Sequence, residues 1–223
     1  MPHFSLITYI VNNALRVCID YIFPPDKLEL QLYEMTADDF APLHAHKYYQ
    51  EKQFRRLHLF NFNHKLIQRF IHLIKYEKNK KAVTLAGEIV SAAITKNIPN
   101  VSEMVLCPTP QSTKRKRERG YNQCKLLTDA VFKNHPECTY IPKLLRKTKH
   151  TKSQTNYSRV ERLENLKHSI AISEAVISDT YLHKKTIVVI DDVYTTGATT
   201  TEIRRTLEHG GFHNILIITL AWA

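Results

Sequence analysis

Apolar positions along this chain change their spacing several times, and each change marks an element. In FSLITYIVNNALRVCIDYIF they recur at three- and four-residue steps, at Leu6, Ile7, Ile10, Val11, Ala14, Leu15, Ile19 and Ile22. That spacing predicts an amphipathic helix, ended by Pro24-Pro25. Residues 26–56 are mixed and weakly patterned, as in a linker or small subdomain. Leu57–Phe62 alternates like a strand, and Leu66, Ile67, Phe70, Ile71 and Ile74 share one helical face. Ala82–Thr95 reads as a further helix, and Met104–Cys107 as a strand broken by Pro108 and Pro110.

Beyond those prolines the basic run Lys114–Gln123 leads into a helix ending near Asn134. Thr139–Ile141 suits a short strand, Ser158–Lys167 a short helix and Ser169–Ile172 another strand. Thr186–Ile190, TIVVI, is apolar without alternation, which marks a central strand covered on both faces. Thr199–Glu208 follows as a helix closed by Gly210-Gly211, and Ile215–Leu220 as an apolar strand. Helices alternating with buried β-branched runs predict an α/β fold, its mainly parallel central sheet flanked by helices. Residues 1–56 then form an N-terminal helical segment with a linker or small subdomain, and 57–223 the main domain.

The carboxyl end of the TIVVI strand carries the most pointed chemistry, because ligands of open α/β sheets collect at strand carboxyl ends. Asp191 and Asp192 fall there, followed by Thr195, Thr196, Gly197, Ala198 and Thr199. Gly197 permits positive φ or close backbone approach. The threonine hydroxyls, successive backbone N–H groups and the N-terminus of the next helix make a cradle for an anion. The spacing and lysine of a Walker P-loop are missing. The two carboxylates cannot attract a phosphate. They can accept hydrogen bonds from the two hydroxyls of a ribose, hold a hydrated Mg²⁺, or stabilise positive charge developing on a sugar ring. Cradle and acids together describe a ribose 5-phosphate site, with Asp191 and Asp192 as its candidate catalytic pair.

Charge adds a second theme. The net charge of +11 points to polyanionic partners. Lys114, Arg115, Lys116, Arg117 and Arg119 fall within six residues. Such a run can close over the phosphates of a bound ligand, the role expected of Lys114 and Arg115. It can also track a nucleic-acid backbone, the role expected of Lys116, Arg117 and Arg119, with Tyr121 stacking on a base. A second basic stretch includes Lys147, and Arg159 and Arg162 sit one helical turn apart, able to face one phosphate.

The four cysteines, Cys18, Cys107, Cys124 and Cys138, include no CxxC pair, so no metal site built from cysteines and no zinc is expected. A reducing cytoplasm fits that usage. The N-terminal apolar stretch is interrupted by Asn12, Asn13, Arg16 and Asp20, and neither a basic region before it nor a small-residue cleavage site after it suggests a leader. Docking on its own domain or a protein partner, or lying on a membrane surface, are its expected uses.

VVIDDVYTTGATT resembles the phosphoribosyl-pyrophosphate (PRPP) motif of type I phosphoribosyltransferases. CPTPQSTKRKRERGYNQCKLL and LLRKTKHTKSQTNYSRVERLENL, with FIHLIKYEKNKKAVTLAG upstream, narrow the likeness to the ComF (competence protein F) family, from about Phe60 to the C-terminus. The resemblance implies a type I phosphoribosyltransferase fold and a PRPP site used with Mg²⁺. Asp191 and Asp192 would meet the ribose hydroxyls, Thr195–Thr199 the 5-phosphate and Cys107–Gln111, including Thr109, the pyrophosphate. It further implies a role in uptake and handling of single-stranded DNA in natural transformation. Family members often carry a zinc ribbon after an F-P-P stretch. Here Phe23-Pro24-Pro25 is followed by Asp26 and no cysteine pair. Two other readings stay open: an active phosphoribosyltransferase moving ribose 5-phosphate onto a nucleobase or amine, and an adaptor that has kept the fold without the ligand.

Overall fold

A computed structural model describes residues 26–148 and 169–223. The expected helices at Leu6–Ile22 and Ser158–Lys167, and the candidate residues Arg159 and Arg162, lie outside the described residues. The chain divides into two compact units, residues 1–34 and 35–223. In the first unit, helix α1 (Lys27–Glu34) is opened by Asp26, whose carboxylate accepts the Glu29 N–H at 2.9 Å.

The second unit is built on a six-stranded sheet. Its strands are β1 (His44–Glu51), β2 (Phe54–Asn61), β3 (Met104–Pro108), β4 (Thr139–Tyr140), β7 (Thr186–Tyr194) and β8 (Ile215–Trp222), in the order β1-β2-β8-β7-β3-β4. Only β1 runs antiparallel, joined to β2 by a tight turn, and every other neighbour is parallel. The mainly parallel sheet flanked by helices is the α/β class expected from the sequence. Strands β5 (Leu145–Lys147) and β6 (Ile170–Ile172) form a separate antiparallel pair.

Residues 44–56, expected in the linker or small subdomain, are part of this sheet, and the boundary expected at 56/57 falls inside β2. The alternation read at Leu57–Phe62 does not describe a half-exposed strand. Leu57, His58, Leu59 and Phe60 are all buried, because β2 lies between β1 and β8 with both faces covered. Phe60 packs with Phe40 and Phe40 with Phe70 of helix α2 (Lys65–His72), at ring-centroid distances of 5.6 and 4.8 Å.

Helices α3 (Lys80–Asn97) and α5 (Gln123–Asn134) approach closely at Gly87, where a Cβ would lie 2.6 Å from that of Ala130. Between them in the chain lies α4 (Thr113–Arg119), and the one-turn helix α6 (Glu174–Ile177) follows β6. Strand β7 explains why its apolar run shows no alternation. Ile187 and Val189 join Val105, Cys107, Ile215 and Ile217 in a cluster with Ile203 and Leu207 of helix α7 (Ala198–His209). By strand alternation Val188 and Ile190 face the opposite side, and they too are fully buried.

The chain leaves β3 toward β4 on one side, whereas β7 continues to β8 on the other. The crevice beyond the carboxyl ends of β3 and β7 is therefore the topological switch point of the sheet. Among the described residues no helix is long and apolar enough to cross a membrane.

Candidate functional site

The expected strand Thr186–Ile190 continues through both aspartates to Tyr194. Strand β3 stops pairing at Pro108, opposite Ile190, but β8 goes on: Asp191 pairs with Thr219, Val193 with Ala221 and Tyr194 with Trp222. The acids are thus held rigidly by one neighbour and left open by the other. Thr109 N–H donates to Ile190 O at 2.9 Å and closes the floor of the opening.

Three residues then separate strand from helix. Gly197 takes φ 78° and opens α7 with no side-chain cap. The first helical bond, Thr201 N–H to Gly197 O at 2.8 Å, leaves the first-turn N–H groups without intrahelical acceptors. Gly197 and Ala198 are buried, Thr196 and Thr199 partly so, and Thr195 is exposed. An uncapped helix start beside hydroxyls suits an anion by charge and by hydrogen bonding alike.

The two aspartates are not equivalent. Asp192 is 8% exposed. Its Oδ2 accepts from Gln123 Nε2 at 2.9 Å and pairs with Lys75 Nζ at 3.1 Å, while Oδ1 accepts the Val193 N–H. Asp191 is more open: Oδ1 accepts from its neighbour's N–H at 2.9 Å and from the Cys124 thiol at 3.3 Å. Its Oδ2 makes no hydrogen bond among the described residues. Burial first, then the Asp192 charge, hold the Asp191 carboxyl well above the usual carboxylate range, at about 7. Burial also pushes the Cys124 thiol up, which keeps it a protonated donor rather than a thiolate.

Lys75, Gln123 and Cys124 are site residues that no motif-based assignment of roles picked out. Lys75 sits in a π-helical turn, Leu73–Glu77, directly after α2. A signal was present: a lysine four residues after Ile71 falls on the apolar stripe of that helix, where a charge needs a partner. Gln123 ends the RGYNQ block, but nothing in the spacing says that its amide reaches 69 residues along the chain to Asp192.

Cys124, Asp191 and Asp192 bring ligand-type atoms within 4.8 Å of one another. For Mg²⁺ the fit is with the open oxygen of Asp191. Asp192 is already neutralised by Lys75, and a thiol is a poor ligand for a hard cation. One open carboxylate oxygen suits a hydrated Mg²⁺ held mainly by other ligands better than a resident ion.

Thr109, expected at the pyrophosphate, is 7% exposed, and its Oγ1 has no hydrogen-bond partner among the described residues. Gln111 Oε1 is likewise buried and unpartnered, while its amide nitrogen donates to Gln123 Oε1 at 3.1 Å. Orphaned polar atoms of this kind at a strand's carboxyl end suit a polar ligand. Lys114 and Arg115 lie on the exposed helix α4, whose N-terminus Ser112 caps by accepting the Arg115 N–H at 3.3 Å. Lys114 pairs with Glu118 at 3.8 Å.

The residues assigned to nucleic acid divide. Lys116 and Arg117 are exposed on α4. Arg119 lies over the Tyr76 ring at 4.9 Å, and the Tyr121 hydroxyl donates to Ile74 O and accepts the Lys78 N–H, both at 3.1 Å. Tyr121 therefore pins the turn that carries Lys75. Lys147 is half-buried on β5. Its ammonium donates to Ser169 Oγ at 3.2 Å. Burial, then repulsion from Arg115, lower its pKa to about 8 against the attraction of Glu202 and Asp191.

No protein-family model matches the chain. Among solved structures, adenine phosphoribosyltransferase from Thermoanaerobacter pseudethanolicus aligns over 84% of this chain and 100% of its own, at 13% identity and a TM-score of 0.39. The chain spans about half the length of the curated relative it matches. Over 118 residues, 53% of this chain and 50% of the relative, it is 32% identical to Competence protein F of Haemophilus influenzae, the family whose signature the RGYNQ block resembles.

Proposed function

We propose that this protein binds PRPP, or a related ribose 5-phosphate ligand, at the switch point, and acts as a ComF-like protein in the handling of single-stranded DNA during natural transformation. The observation that carries the ligand is the uncapped α7 N-terminus at Gly197, set beside an Asp191 carboxylate with one oxygen unclaimed. The 5-phosphate would take the Thr195–Thr199 cradle and the ribose hydroxyls would donate to Asp191. Asp192, held by Lys75 and Gln123, positions its neighbour. The pyrophosphate would take the Thr109 hydroxyl, which has no partner among the described residues, and the cations Lys114 and Arg115 of α4. Mg²⁺ would supply charge neutralisation between the phosphates and Asp191.

Calorimetry with PRPP and Mg²⁺ tests this reading. The native chain should bind, and Asp191→Asn should weaken binding by roughly tenfold or more, the worth of a charge-assisted hydrogen bond. Affinity should also depend on pH. The Asp191 carboxyl is raised, so below neutrality it holds a proton that a hydroxyl donor or a cation must displace. Binding should therefore tighten as pH rises through about 7 and then level off. Absence of binding heat at millimolar PRPP would overturn the assignment. Release of pyrophosphate from PRPP across a panel of nucleobases and amines would mark an active transferase rather than a binder.

The same reading expects single-stranded DNA on the exposed cations of α4. Its affinity should fall with salt at about −0.7 per phosphate contacted, and Lys116→Ala with Arg117→Ala, removing two such contacts, should flatten that slope by about 1.4. Salt-independent binding, or none, counts against the DNA role.

A further inference from the structure

The phosphate loop contains no cation of its own: residues 195–199 are Thr, Thr, Gly, Ala and Thr. The structure brings one to it from the edge hairpin, 138 residues away along the chain. Arg56 of β2 donates from Nη1 to the Tyr194 hydroxyl at 2.9 Å. That same hydroxyl lies 2.5 Å from where a Cβ on Gly197 would stand. Two such steps put a full positive charge within two hydrogen-bond lengths of the loop glycine.

Arg56 lacks what a half-buried guanidinium normally has. Among the described residues it makes no ion pair, and its buried Nε has no hydrogen-bond partner. Aromatic faces hold it instead, those of Tyr49, Tyr194 and Phe54 at 4.9, 5.4 and 5.8 Å. The acid closest to it in sequence, Glu51, is already taken by Arg204 at 2.7 Å. The His58 ring lies against Tyr194 at a centroid distance of 4.4 Å, and burial, then the Arg56 and Lys47 charges, lower its pKa to about 4, so the neutral imidazole adds no second positive charge. Leaving a desolvated charge without an anion is costly, and the loop beside it is shaped for one. The tyrosine hydroxyl accepts from Arg56, which polarises its own proton, and no protein acceptor for that proton is seen among the described residues.

We infer that Arg56 and Tyr194 form an extension of the phosphate cradle: Arg56 supplies the positive charge that the loop lacks, and acts on a bound phosphate monoester through the Tyr194 hydroxyl. The inference rests on the ribose 5-phosphate reading of the loop. It makes the antiparallel edge hairpin part of the binding site rather than a trim on the sheet. Arg56 is a positioning and charge-supplying residue here, and Tyr194 is the group nearer the ligand.

The test is calorimetric titration of the full chain with ribose 5-phosphate at low and moderate salt. Arg56→Met keeps the apolar stem but removes the charge, and should weaken binding roughly tenfold or more and flatten its salt dependence. Arg56→Lys should recover part of the affinity. Tyr194→Phe should weaken it by itself, and less so once Arg56→Met is present, because the two act as one unit. Circular dichroism and thermal midpoints of each variant separate lost binding from lost fold. If Arg56→Met does not fold, Tyr194→Phe, which removes one oxygen, decides the matter. Native-like ribose 5-phosphate affinity in a folded Arg56→Met, or in Tyr194→Phe, overturns the inference while leaving the loop assignment intact. Failure of the native chain to bind either ribose 5-phosphate or PRPP removes the loop assignment and this inference together.

Discussion

Gly197→Ala is expected to cost about 2 kcal/mol of stability and to remove most of the affinity for ribose 5-phosphate. Two independent effects converge on this residue. Its φ of 78° lies in the left-handed region, where a Cβ crowds the backbone. A Cβ here would also meet the Tyr194 ring, 2.5 Å from the hydroxyl and 3.0 Å from the carbon that bears it. The loop cannot yield without rotating the first turn of α7 or pushing Tyr194 away from Arg56, and either movement spoils the cradle. Urea unfolding reports the stability change as a lowered midpoint with unchanged slope. Tyr194→Phe in the Gly197→Ala background relieves the closest contact but not the backbone strain, so it should return stability in part. Unchanged ribose 5-phosphate affinity in Gly197→Ala would show that the phosphate does not sit on this loop.

Lys75→Met should destabilise the fold by about 3 kcal/mol, the cost of leaving a largely buried carboxylate without its counter-ion. Lys75 and Asp192 meet at 3.1 Å with side chains 19% and 11% exposed, so solvent screens the pair only weakly. The Gln123 amide and the Val193 N–H would remain on Asp192, but neither carries charge. A second substitution separates loss of charge from loss of packing. With Asp192→Asn the buried charge disappears, and Lys75→Met/Asp192→Asn should be more stable than Lys75→Met alone. Stability of Lys75→Met equal to that of the native chain would mean that Asp192 is neutral or solvated without Lys75. Ligand affinity should also fall in Lys75→Met, since Asp191 takes its backbone hydrogen bond from Asp192.

Much of this site could be read from residues in a row. TTGAT announces an anion cradle because a glycine free to take positive φ, threonine hydroxyls and a helix start act within a few residues of one another. The two acids after TIVVI could likewise be placed at a strand's carboxyl end. What could not be read is where that strand stops. Its pairing ends at Ile190 on the β3 side and at Tyr194 on the β8 side, a difference set by the lengths of two other strands. Both acids lie in the stretch that β8 still borders and β3 no longer does, and Asp192 is clamped because Lys75 and Gln123 reach it there.

The same division runs through the basic residues. Lys147 and Arg119 both read as surface cations ready for nucleic acid. The fold half-buries Lys147 against the Ser169 hydroxyl, and lays Arg119 over Tyr76. A cation's sign is legible in sequence, but its counter-charge is not, because the two can lie far apart along the chain. Residues 44–56 show the limit from another side. Their weak pattern reads as a linker because β1, at the edge of the sheet, buries none of its residues, and the turn that pairs β1 with β2 is short and polar.

By itself the sequence determined what depends on neighbours within a turn or two: the periodicity that sorts helix from strand, the glycine-led helix start and the adjacent acids. The tertiary structure alone decided which distant groups complete the site. Lys75 and Gln123 come to Asp192, Cys124 to Asp191, and Arg56 to Tyr194. The physical reason is burial. A charge or amide removed from water must find its partner in space, and the packing of helices and strands around the switch point, rather than order along the chain, determines which partner that is.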